Sequence, residues 1–84
     1  MERLNLRQLE IFSAVVDAGS FPAAAEKLYL AQSTVSDNVR ALEELLHLKL
    51  FHRESKRRPT LTLEGKRVYR YAQDILRRCS APLL

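Results

Sequence analysis

The sequence predicts a mainly α-helical domain: three short helices, a short basic two-stranded hairpin, and a longer fourth helix. Three observations lead there. Apolar residues recur at helical spacing over residues 6–18, 32–47 and 63–78. Gly19, Pro22 and Pro59 fall at the borders of these segments, where punctuation belongs. Between residues 48 and 62 the helical period gives way to short, mixed and strongly charged runs. Eighty-four residues make one small domain. Its core supplies only ~3–5 kcal/mol net, so help from a partner subunit is expected.

The first helix is predicted over Leu6–Ala18, with Leu9, Phe12, Val15 and Val16 on one buried face. Asn5 is placed to cap it and Gly19 to end it. Ser20 caps the second helix, Pro22 sits in its first turn, where a missing N–H costs nothing, and Ala23–Leu28 favour helix by propensity. The small side chains of this run allow another helix to approach closely. Only Tyr29-Leu30-Ala31 separate it from the next segment, the length of a tight interhelical turn.

The third helix is predicted from about Gln32 to His47. Val35, Val39, Leu42 and Leu46 form a narrow apolar stripe, with Ser33, Asp37, Arg40 and Glu44 nearly opposite and Thr34 and Ser36 flanking it. Leu50–Arg53 and Thr60-Leu61 read as two short strands joined by a charged loop, with Pro59 suited to an edge. Thr62 caps a last helix from about Leu63 to Arg78. There Val68, Ala72, Ile75 and Cys79 form a stripe that Tyr69 and Leu76 widen. This surface is broader than one small domain covers, so these six residues are the expected dimerisation face. The organisation expected is residues 1–61 as one domain and 62–84 as a linker helix and tail.

Charge divides along the chain. Residues 1–48 carry four Lys/Arg against seven Asp/Glu; residues 49–84 carry ten against three. A basic second half suits an anionic partner, nucleic acid first, although a solvated basic face has the same composition. No apolar run approaches the length of a membrane span, and the first residues lack the layout of a signal peptide. The single cysteine, Cys79, permits neither an intrachain disulfide nor a cysteine-pair metal site. His47 and His52 are too isolated to be ligands. A cytoplasmic protein without metal or cofactor is expected. No nucleophile stands beside a base, and there is no Gly-rich phosphate loop or pocketed acidic dyad, so no catalytic residues are assigned.

Three helices with a tight turn before the third, then a basic hairpin, describe a winged helix-turn-helix. The start of the third helix offers N–H groups and a positive dipole end to phosphate. Gln32 can read adenine, and Ser33 and Thr34 can reach a base edge or a phosphate. Ser36, Asp37 and Arg40 continue the exposed face. Arg53, Lys56, Arg57 and Arg58 on the wing can follow the backbone or enter a narrow minor groove.

Several motifs, in order, resemble those of LysR-type transcriptional regulators. They are Leu6-Arg7-Gln8-Leu9-Glu10-Ile11-Phe12, Gly19-Ser20-Phe21, Ala24-Ala25-Glu26-Lys27-Leu28, Gln32–Ser36 with Arg40–Glu43, Leu50–Arg53, Leu61-Thr62 and Gly65. The resemblance covers about residues 4–78. It implies dimerisation through the helix after the wing, further assembly to tetramers in the full-length protein, and binding to an interrupted inverted repeat in double-stranded DNA. It also implies a larger C-terminal domain that binds a small-molecule effector, which these residues do not contain. The chain is thus expected to be a fragment, with a naturally short relative as the alternative. Two positions depart from the family pattern. Ser33 stands where proline is usual, and Asp37 where a basic residue or glutamine is commoner. Asp37 is expected to set sequence preference by accepting from cytosine N4, at some cost in affinity.

Plainer roles exist for the same residues. Gln32 and Ser33 suit capping and solvation, Ser36 can bond back to its own helix, and the stem of Arg53 can cover apolar surface. Tyr69 and Tyr71 suit packing better than stacking on bases, and Cys79 suits a small interface contact. The rival function is a protein-interaction module using the last helix and the basic wing. It would call for large apolar anchors on the outer face of the third helix, and that face is polar instead.

Overall fold

The computed structural model describes residues 5–52 and 58–80, with side chains to residue 78. Four helices follow in order: α1 (Leu6–Ala18), α2 (Phe21–Leu28), α3 (Gln32–Leu46) and α4 (Leu63–Ser80). Each begins and ends for a local reason. Asn5 and Gln8 form a reciprocal capping box at the start of α1, with the Asn5 side chain accepting from the Gln8 N–H at 2.8 Å. Gly19 ends α1 at φ 87°, a left-handed conformation that only glycine adopts without steric cost. The Ser20 hydroxyl accepts from the Ala23 N–H at 3.1 Å to start α2.

α2 and α3 both close in Schellman motifs, but with residues other than glycine. Tyr29 (φ 58°) and His47 (φ 57°) take the left-handed position. After α2, the Leu30 N–H reaches the Ala25 carbonyl at 2.9 Å; after α3, the Leu48 N–H reaches the Glu43 carbonyl at 3.1 Å. At the start of α4 the Thr62 hydroxyl accepts from the Gly65 N–H at 2.9 Å and donates to the Lys49 carbonyl.

The core lies where α1 meets the other three helices. Phe12, Ile11, Leu42, Leu50, Val15 and Val35 are fully buried. Phe51 meets Phe12 and Phe21 edge-on, with ring centroids 5.4 and 5.6 Å apart. α2 also packs on α3, whereas among the described helices α4 packs on α1. Ala72 is fully buried within this core, and Val68 and Tyr69 pack against it.

Of the expected two-stranded wing, the described residues show a single antiparallel bridge, Phe51 to Leu61. Two hydrogen bonds flank it, His52 N–H to the Thr60 carbonyl at 2.8 Å and Thr62 N–H to the Leu50 carbonyl at 3.0 Å. Pro59 has no N–H with which to extend the ladder. Residues 53–57, the greater part of the expected basic loop, lie outside the described residues.

Candidate nucleic-acid interface

The packing of α3 decides what it presents outward. Val35, Val39 and Leu42 are buried, so the opposite face of the first turns is left to solvent. Gln32, Ser33, Thr34, Asp37 and Arg40 are exposed, and Ser36 is half-buried at the edge of the stripe. No aromatic or large aliphatic side chain interrupts the exposed set.

The N-terminus of α3 is also chemically open. Its N-cap is Ala31, in the extended backbone conformation a cap requires, but with no side-chain atom to accept a hydrogen bond. α1 and α2 each receive a side-chain cap, from Asn5 and Ser20. The first N–H groups of α3 therefore keep their donor capacity beside Gln32, Ser33 and Thr34, where the helix dipole is positive. A phosphate or a base-edge acceptor suits that position.

Asp37 and Arg40 pair one turn apart on the exposed face, 3.4 Å between Oδ1 and Nη1, with side chains 71% and 63% exposed. A pair this open contributes about 0–1 kcal/mol, so both groups can exchange partners readily. The pairing places a counter-charge beside the carboxylate that departs from the family pattern. Asn38 turns inward on its own helix, its amide donating to the Thr34 carbonyl at 2.8 Å.

The opposite end of α3 is fastened by a residue whose part the sequence reading did not assign. The half-buried Glu43 carboxylate accepts from the Leu50 N–H at 2.7 Å and the Phe51 N–H at 3.4 Å. It thereby links α3 to the first arm of the hairpin and sets where the wing leaves the domain. The available signal was an acid flanking the apolar stripe one turn before the helix end, where a carboxylate opposes the dipole unless it has a donor.

A second unassigned contact joins α1 to α4. The Tyr69 phenol donates to Asp17, and the Gln73 amide donates to the phenol oxygen at 2.8 Å. The Tyr69 phenol is pushed up to about 12, first by its hydrogen bond to Asp17, then by burial and by the carboxylate charge. Asp17 also lies in the last turn of its helix, unfavourably for the dipole, which was the clue in the sequence.

The residues expected to dimerise divide between two directions. Ala72 is turned fully inward, Val68 and Tyr69 are half-buried against the core, and Leu76 is half-buried. The domain's own α1 takes up this part of the stripe. Ile75 is exposed, as are Leu63 and Tyr71, the last at 70%. Cys79 lies beyond the described side chains. Of the wing cations, Arg58 is exposed, whereas Arg53, Lys56 and Arg57 lie outside the described residues. Among the described residues no group of His, Cys, Asp and Glu could hold a metal ion.

Comparison with known sequences identifies the family. A family model described as the bacterial regulatory helix-turn-helix protein, lysR family, matches residues 6–66. The chain belongs to this family. Its match runs from the start of α1 into the first turn of α4, and it marks a regulator's helix-turn-helix domain rather than an enzyme. Among curated relatives, the HTH-type transcriptional regulator CrgA of Neisseria meningitidis is 43% identical over 79 residues, 94% of this chain and 26% of that protein. The HTH-type transcriptional regulator CzcR of Bacillus thuringiensis is 42% identical over 73 residues, 87% of this chain and 25% of that protein. The chain thus spans about a quarter of the length of these LysR-type relatives.

Solved structures agree on the fold. The BenM DBD in complex with benA site 1 DNA superposes with a TM-score of 0.85 at 39% identity, over 90% of this chain and 87% of that one. An OxyR variant from Corynebacterium glutamicum gives a TM-score of 0.88 at 30% identity, over 95% of this chain and 25% of that one. Among the described residues, no helix of this LysR-family chain is long and apolar enough to cross a membrane.

Proposed function

We propose that the chain binds double-stranded DNA sequence-specifically as a symmetric homodimer in the bacterial cytoplasm, within a regulator whose further domain binds a small-molecule effector. α3 enters the major groove. The observation that carries this reading is the open N-terminus of α3, uncapped at Ala31, beside the exposed Gln32, Ser33 and Thr34. Gln32 reads a base through its amide, while Ser33, Thr34 and Ser36 contact base edges or phosphates. Asp37 sets preference by accepting from cytosine N4, and Arg40 moves from Asp37 to the backbone. Arg53, Lys56, Arg57 and Arg58 follow the flanking phosphates from a wing built on the Phe51–Leu61 bridge. The DNA complex of a structure 39% identical to this chain supports the same use of this fold.

The dimer forms through α4, with Ile75 and Tyr71 on its outward side and Leu76 and Cys79 completing the seam. Val68, Tyr69 and Ala72 support that helix from within. A two-fold dimer places two copies of α3 in successive major grooves, roughly 34 Å apart, and therefore selects an interrupted inverted repeat. In the full-length protein such dimers pair into tetramers.

Selection from a pool of random-sequence duplexes at moderate salt tests the reading. Enrichment of an interrupted inverted repeat is the expected result. Binding to any duplex without enrichment, lost steadily as salt rises, would reduce the chain to non-specific contact and favour a protein-interaction role instead.

A further inference from the structure

We propose that Tyr29 is a further DNA-contacting residue, its phenol donating a hydrogen bond to a phosphate on the strand that flanks the groove entered by α3. The inference rests on the DNA-binding reading above and adds a residue to it.

Neither the core nor the local backbone accounts for this side chain. Tyr29 is 94% exposed, so its ring gains almost no packing. Its neighbour Leu30 turns inward against the core, as the Schellman motif requires. The backbone at Tyr29 is left-handed, φ 58°, where glycine and asparagine are the favoured residues and an aromatic is strained. A large aromatic in open water at a strained position points to a contact made with something else.

Its place in the fold says what that contact is. Tyr29 lies three residues before Gln32, so its Cα is within about 11 Å of the first residue of α3 by chain length alone. Its exposed side chain therefore starts from the same corner of the domain as the uncapped N-terminus of that helix. A major groove is about 12 Å wide and bordered by phosphates on both sides. A side chain on the shoulder of the inserted helix meets that border rather than the base edges. Intact duplex offers no unstacked base to an aromatic ring, whereas phosphate oxygens accept freely from tyrosine hydroxyls.

The strained backbone also makes the test clean. Tyr29→Asn places a favoured residue at the left-handed position and removes a ring that packs against nothing, so its thermal midpoint should equal or exceed that of the wild type. The probe is the duplex most enriched by the wild-type chain from the random pool. Affinities of Tyr29→Asn and Tyr29→Phe are measured on it across a salt series, with Gln32→Ala alongside. Expected is a weakening of about tenfold in both Tyr29 variants, as for loss of a hydrogen bond to a charged group. Their salt slope should match the wild type, because a neutral phenol displaces no counterion. Wild-type affinity in Tyr29→Phe overturns the proposal, even if Tyr29→Asn binds less well. If Gln32→Ala loses preference while both Tyr29 variants bind normally, Tyr29 falls and the DNA reading stands. If the wild-type chain enriches no duplex, both fall together.

Discussion

The two ends of α3 are built on opposite principles. At its N-terminus the helix begins on an alanine, lacks a side-chain cap, and shows only short or flexible polar groups to solvent. At its C-terminus it closes in a Schellman motif and is fastened to the hairpin through Glu43. One end forgoes the roughly 0.5–2 kcal/mol that a capping side chain supplies. The other gathers charge-assisted hydrogen bonds worth about 1.5–3 kcal/mol. A helix that must present its first turn to another molecule can leave that turn unsatisfied only if its far end is held firmly.

The largest break in this arrangement is expected at Gly65, under the fastened end. A Cβ there would lie 2.1 Å from the Leu50 carbonyl oxygen and 3.0 Å from its carbon. Both atoms are backbone, in the segment that Glu43 and the Phe51–Leu61 bridge hold in place, so little can yield. Gly65→Ala should cost about 3 kcal/mol, the upper end for overpacking. The ~1 kcal/mol by which alanine favours a helix does not offset this. In a domain of this size the loss approaches the whole stability. Thermal unfolding should show a midpoint lowered by well over ten degrees, by the usual scaling for small domains. A midpoint near that of the wild type would mean that the α4 start and the Leu50 segment are not locked together.

Next in size is Glu43. Glu43→Ala leaves two N–H groups of the hairpin without their acceptor and should cost about 1.5–3 kcal/mol in urea unfolding. Glu43→Gln keeps one carbonyl acceptor in the same place and should recover about half. Equal losses in the two variants would show that charge, not geometry, does the fastening.

The open end can be tested by closing it. Ala31 has φ −68° and ψ 146°, the backbone a capping residue needs. Ala31→Asp should therefore raise stability by about 1 kcal/mol. The same change places a carboxylate on the N–H groups proposed to meet phosphate, so duplex affinity should fall as stability rises. Opposite signs in the two measurements are the signature of a site kept open for a ligand. A gain in both would mean that the first turn of α3 stays clear of the DNA.

How much of this the sequence reveals follows the same division. The helices, the caps at Asn5, Ser20 and Thr62, and the turn at Tyr29–Ala31 are local features, set by residues within four positions of one another. All are legible from spacing and propensity. The exposed polar face of α3 was readable for the same reason, since burial of Val35, Val39 and Leu42 fixes what lies opposite. Glu43 to Leu50 and Asp17 to Tyr69 are contacts between elements, and no periodicity announces them. The breadth of the stripe on α4 does not reveal which part faces the domain itself, where Ala72 is buried in the core with Val68 and Tyr69 packed against it. Of the wing, the described residues show the one bridge from Phe51 to Leu61, and a run of two to four residues has the same alternation whether it forms a ladder or one bridge.

The smallest expected effect concerns the joint through which α4 meets the rest of the domain. Tyr69 donates to Asp17 only while its phenol is protonated, and in the folded chain that proton is held up to about 12. In the unfolded chain a phenol titrates near 10. A raised folded value means that the stabilisation is fully present below about pH 10 and is lost as pH rises toward 12. Tyr69→Phe removes the hydroxyl and should cost about 0.5–1 kcal/mol at neutral pH, the ordinary value of one partly exposed hydrogen bond. Its stability should then decline less than the wild type between pH 10 and 12, so the two urea midpoints converge with rising pH. The two proteins differ in this one hydroxyl, so the difference between midpoints isolates its proton. A constant gap across that range would mean that Asp17 and Tyr69 hold α4 by packing alone. The joint would then be as indifferent to charge as the Phe12 edge on which Tyr69 rests.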